Sequence, residues 1–154
     1  MQRYFVKLLA TLLLGALPWT AFAQQPASRD DAIQFVKKAV AHLRQQGKDK
    51  ALQDFNNPQG AFVDRELYII VLDMTGVLLA DPLHPKLINK PLFDLRDVNG
   101  KYFVREELKL AKEKGKGWVD FQWLNPVSKN MEPRSSYIEK VDDLIVLTGV
   151  FQKP

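Results

Sequence analysis

The sequence predicts an α+β domain: an antiparallel sheet of about five strands, a long N-terminal helix on one face, and a loop with a short helix covering the other. Three observations predict it. Apolar residues recur at helical spacing from Ala32 to Leu43. Five runs rich in β-branched and aromatic residues follow. Several of these runs are joined by links short enough for hairpins, which makes the neighbouring strands antiparallel.

Residues 1–23 read as a secretory leader rather than as part of the fold. Arg3 and Lys7 precede the apolar run around Leu8–Leu14, and Ala21-Phe22-Ala23 is a small-x-small cleavage site. The alternative is an uncleaved anchor, but the run is short for a bilayer span and Pro18 interrupts it. Cleavage after Ala23 leaves residues 24–154 as one domain, with a periplasmic destination and no stable membrane insertion. The 154-residue chain has no cysteine, so an exported product must rest on a hydrophobic core rather than on disulfides. Losing the leader takes Arg3 and Lys7 from 22 basic residues, which leaves two more bases than the 18 acids. That balance does not support nucleic-acid binding.

Ser28 is a good N-cap, with Asp30 and Asp31 in the first turn. Ala32, Ile33, Val36, Ala39, Val40 and Leu43 form one face, and Gly47 stops the helix. Residues 48–55 suggest a short helix before Asn56-Asn57-Pro58. Glu66–Asp73 is too apolar for an exposed edge and reads as a central strand, turned at Met74-Thr75-Gly76 into a partner at Val77–Ala80. Asp81–Arg96, with three prolines and no period, is a long loop, and long ordered loops tend to carry function. Tyr102–Lys114 is a second helix, with Phe103, Val104, Leu108 and Ala111 inward and Gly115 after it. Gly117–Leu124, Arg134–Val141 and Leu144–Phe151 are three further strands. A loop closed over a sheet makes a small chamber.

Both tryptophans beyond the leader lie in the Gly117–Leu124 strand, close to Arg134 and Tyr137 across a hairpin. Aromatic rings beside a cation and a phenol suit a small organic anion. Arg134 can grip a carboxylate with two parallel hydrogen bonds, or it is a solvated cation at a strand start. Arg134 and Tyr137 fall on opposite faces of a regular strand, and share a pocket only if Arg134 precedes the strand or a bulge intervenes. Tyr68 and Tyr137 offer hydroxyls, or are core tyrosines with backbone partners. Val119, Phe121 and Trp123 share a face opposite Trp118, and the sequence leaves open which face is the chamber. His84, between Pro82 and Pro85, could donate to an anion or sit exposed.

Metal and catalytic chemistry find little support. Asp97, Asn99, Gly100 and Glu106 partly match a calcium loop, but Leu95 stands where its first ligand belongs, so Asp97 reads as a turn and cap. Two separated histidines make no zinc set. A nucleophile elbow, an HExxH motif and a Gly-rich phosphate loop are all missing, so neither an enzyme nor a bound cofactor is implied.

Taken in order, Leu67–Asp73 with Gly76, Asp81-Pro82-Leu83-His84-Pro85, Asp94–Lys101, Gly117–Trp123, Ser135-Ser136-Tyr137 and Gly149-Val150-Phe151 resemble a single Cache domain of the second type. The resemblance covers nearly all of residues 28–151. It implies a PAS-like fold that binds small ligands outside the cytoplasm, often short carboxylic acids. Family members usually sit in chemoreceptors and sensor kinases between two membrane helices. This sequence carries neither a second membrane helix nor a signalling domain, so an envelope signalling protein is expected as partner. Related domains pack through the long helix, which makes a homodimer through it possible. The expected site is then Tyr68, His84, Phe121, Trp123, Arg134 and Tyr137, holding a small organic acid. The alternative is a ligand-free module that binds an envelope sensor or kinase ectodomain.

Overall fold

The structure is a computed structural model that describes residues 25–152. The expected leader lies outside them. Helix α1 (Arg29–Gln46) starts at a capping box, in which Ser28 accepts from the Asp31 amide and the Asp31 carboxylate accepts from the Ser28 amide. Gly47 ends it at φ 79°, and α2 (Lys48–Phe55) follows at once.

A five-stranded antiparallel sheet runs in the order β4-β3-β7-β6-β5. Its strands are β3 (Ile70–Asp73), β4 (Leu78–Ala80), β5 (Lys116–Leu124), β6 (Met131–Val141) and β7 (Leu144–Phe151). Every residue of β7, the middle strand, is buried. The α+β architecture is therefore the expected one.

One strand differs from expectation. The run 66–73 is not continuous: Leu67–Tyr68 (β2) pairs with Val63–Asp64 (β1) in a separate ribbon, and the main ladder begins only at Ile70. The Ile69 amide donates to Phe62, and the Tyr68 carbonyl accepts from the Thr148 hydroxyl instead of from a backbone amide. A side chain of β7 replaces the ladder bond there, so the strand leaves register while staying buried.

Each sheet face has its own core. Helices α1 and α2 cover one face through Val36, Ala39, Val40 and Phe55, against Val71, Val146 and Val150. The other face carries Leu72, Ile138, Ile145 and Leu147 beneath α3 (Phe103–Lys114) and the loop before it. That loop is more ordered than a structureless connection. It holds a 3₁₀ turn at Pro85–Leu87 and hugs β4, with Leu78 bonded to Lys90 and Asn89. Asp97 makes its turn by accepting from the amides of Asn99 and Lys101, and it also accepts from Gln122 of β5. It is not the cap of α3: Tyr102 takes that position with no side-chain hydrogen bond. Asp97 thus ties the loop to the edge of the sheet and closes the lid.

Candidate functional site

Between the sheet and this lid lies a cavity of about 50 Å³. On this measure a cavity needs about 10–15 Å³ to hold one water, so this is room for a ligand of a few heavy atoms. Its walls are apolar for the most part, and its polar groups are few and convergent.

The strand period decides which side chains reach it. In β6, residues 134, 136 and 138 face the lid, and in β5 residues 119, 121 and 123 do. The β5–β6 register is regular, with Phe121 opposite Arg134 and Trp118 opposite Tyr137. Strand β6 begins at Met131, three residues earlier than expected, so Arg134 lies inside it and no bulge intervenes. Tyr137 therefore points the other way. It packs beside Trp118 in the α1-side core, with ring centroids 5.2 Å apart, and does not line the cavity. Its assignment to the site is corrected on that geometry. Tyr68, His84, Phe121, Trp123 and Arg134 all line the cavity together.

Arg134 is 1% exposed. Its Nη1 donates to Tyr68 Oη at 2.6 Å, and the guanidinium carbon lies 4.9 Å from the Tyr68 ring and 5.3 Å from Phe151. Nε and Nη2 have no hydrogen-bond partner among the described residues. The guanidinium packs against Gly149 of β7, where an added Cβ would come within 2.2 Å of Nε. Only a glycine leaves room for this cation. A buried charge with unused donors is costly, and an anion is the partner that offsets the cost.

His84 is oriented by Asp81, whose Oδ2 lies 2.9 Å from Nδ1 while Oδ1 accepts from the amides of Leu83 and His84. The Asp81 amide in turn donates to Asn56, just past α2. The imidazole sits 6.5 Å from the Tyr68 ring and 6.4 Å from Trp123, with Nε2 left for a further partner. Phe103 stacks on Phe121 at 4.1 Å, and Trp123 meets Phe103 edge-on at 5.3 Å, which makes a stiff aromatic wall.

Three groups escaped the sequence reading. Ser136 follows Arg134 by two residues on the same strand face. Gly149 follows Thr148 in a largely apolar strand, and a glycine within a strand is a sign of close approach by another group. Glu107 stands among Val104, Leu108 and Ala111 on the inward stripe of α3, where a carboxyl does not belong by patterning. Glu107 is 2% exposed, and burial pushes its carboxyl up to about 8. The Arg134 charge pulls the other way, as does the Ser136 hydroxyl, which is close but outside hydrogen-bond geometry.

A family model described as Single Cache domain 2 matches residues 20–153. The chain belongs to the single Cache domain 2 family. Cache domains are extracytoplasmic sensor domains of a ligand-binding, non-catalytic kind. Among curated proteins, the chain is similar to the methyl-accepting chemotaxis protein McpP of Pseudomonas putida, 28% identical over 90 residues. Those residues are 57% of this chain and only 16% of that receptor. Among solved structures, a methyl-accepting chemotaxis protein from Vibrio parahaemolyticus superposes with a TM-score of 0.69 at 21% identity, covering 79% of this chain and 86% of that one. A Cache chemosensory domain described in terms of carboxylic acid recognition superposes at 0.68 and 22%, covering 80% and 92%. At these identities the likeness shows the fold. No helix among the described residues is long and apolar enough to cross a membrane.

Proposed function

We propose that this chain is a periplasmic sensor-type domain that binds a short carboxylate, or a similar small organic anion, and acts through a partner protein. The observation that carries the reading is the Arg134 guanidinium, buried over Gly149 with two unused donors in a cavity of about 50 Å³. The ligand carboxylate pairs with Arg134 and accepts from Tyr68, His84 Nε2 approaches from the lid, and Phe121 and Trp123 wall the short tail. The carboxylic-acid recognition attached to one structural neighbour supports the same class. Export through a leader ending at Ala23 accounts for a domain of this kind outside the cytoplasm. Its listener is an envelope signalling protein, in keeping with the chemoreceptor relative, and α1 is the surface for a homodimer.

Thermal melting across a panel of two- to four-carbon acids tests the reading. A ligand at 100 times its dissociation constant adds about 2.7 kcal/mol of stability. A shift with at least one acid is expected. The absence of any shift, together with a co-purifying envelope protein, favours a ligand-free interaction module instead.

A further inference from the structure

This inference rests on the carboxylate reading of the cavity and concerns what else the ligand carries. Glu107 Oε1 and Ser136 Oγ are both buried, and neither has a hydrogen-bond partner among the described residues. The two lie close to one another without hydrogen-bond geometry between them, so both keep capacity for one polar group of a bound molecule set beside them. They come from different elements, α3 and β6, and converge beside Arg134. Ser136 lies two residues along β6 from Arg134 on the same face, about 7 Å away, within the reach of one small molecule.

The charged and titratable surroundings narrow the chemistry. Arg134 faces Glu107 from β6, Asp81, His84 and Tyr68 share the cavity from the ribbon and the lid, and Glu106 is its neighbour on α3. With its pKa raised to about 8, Glu107 is mainly protonated at neutral pH. A protonated carboxyl both donates and accepts, and so does a serine hydroxyl. The substituent that matches both is a hydroxyl. A keto oxygen only accepts, and an ammonium only donates and needs the ionised carboxylate.

We propose that Glu107 and Ser136 form a hydroxyl-reading subsite beside Arg134, so that the cavity takes a short hydroxy acid in preference to the unsubstituted acid of the same length. A site built to hydrogen-bond a hydroxyl rejects the analogue that lacks it, because its own polar groups are then left unpaired.

Calorimetric titration of the purified protein at pH 7 with each enantiomer of lactate, with propionate and with alanine tests this. The tighter lactate binds at least tenfold better than propionate. Glu107→Met and Ser136→Ala bring that ratio toward one, whereas Glu107→Gln, which keeps a donor and an acceptor, retains most of it. Melting curves establish that each variant is folded. Equal affinity for lactate and propionate, or a ratio unmoved by both Glu107→Met and Ser136→Ala, overturns the subsite and leaves the carboxylate reading standing. Tighter binding of alanine overturns it in favour of an ammonium-reading acid. Failure of every carboxylate to bind folded protein overturns both.

Discussion

The two faces of the sheet are built from the same strands and do opposite things. Toward α1, Tyr137 and Val141 of β6 and Leu144, Val146 and Val150 of β7 meet valines, alanines and phenylalanines in an apolar layer. Toward α3 the intervening positions of the same strands carry a buried arginine, a serine and a glycine, and α3 adds a buried glutamate. One face is packed for stability, and the other gives up packing for polar groups with unmet hydrogen bonds. A single-residue step along a strand separates the two roles, as Ser136 and Tyr137 illustrate.

The contrast can be broken most forcefully on the packed face. Phe55 is fully buried there, and Phe55→Ala should cost about 3–5 kcal/mol. Denaturant unfolding measures the loss, and ligand affinity of the protein still folded should stay unchanged.

On the polar face, Glu107→Gln should act in the opposite direction. Between pH 4.5 and about 8 the folded protein keeps this carboxyl protonated while the unfolded chain ionises it. The folded state then binds the extra proton, so stability falls as pH rises through that window. The variant removes that slope and is more stable above pH 8, by on the order of a few kcal/mol. Parallel melting curves at pH 5 and pH 9 read the difference, and an identical pH dependence in both proteins removes Glu107 from the account.

Gly149→Ala sharpens the comparison at one atom. The new methyl meets the guanidinium and must displace it, at a cost of about 1–3 kcal/mol. Ligand affinity should collapse in a protein that still folds. The smallest effect is expected for Tyr137→Phe, whose hydroxyl faces away from the cavity. Unchanged calorimetric affinity is the expected result, and a clear loss would mean that the ligand lies on the α1 side.

Most of the architecture was legible because it follows periodicity. The capped stripe of α1, the stripe of α3 and the alternation in β5 each bury one face, and the hydrophobic pattern shows which. What was not legible depends on contacts between distant residues. The break after Tyr68 comes with the bond from Thr148, 80 positions further along the chain, to the Tyr68 carbonyl, and no local pattern announces it. Arg134 could be read either as a ligand for anions or as a surface cation, because its burial by Tyr68 of the ribbon and Gly149 of the sheet is set by tertiary placement. Tyr137 is near Arg134 in the chain, but its odd spacing from Arg134 places it on the other face. Glu107 was legible in principle, as a carboxyl on an apolar stripe.

On this reading the guanidinium of Arg134 is held in the cavity to receive an anion. Isothermal titration of the wild-type protein and of Arg134→Ala, using whichever short carboxylate raises the melting temperature most, tests it directly. Heat and saturation are expected for the wild type, and no measurable binding for a variant that still melts cooperatively. Equal affinity in the two proteins would contradict it.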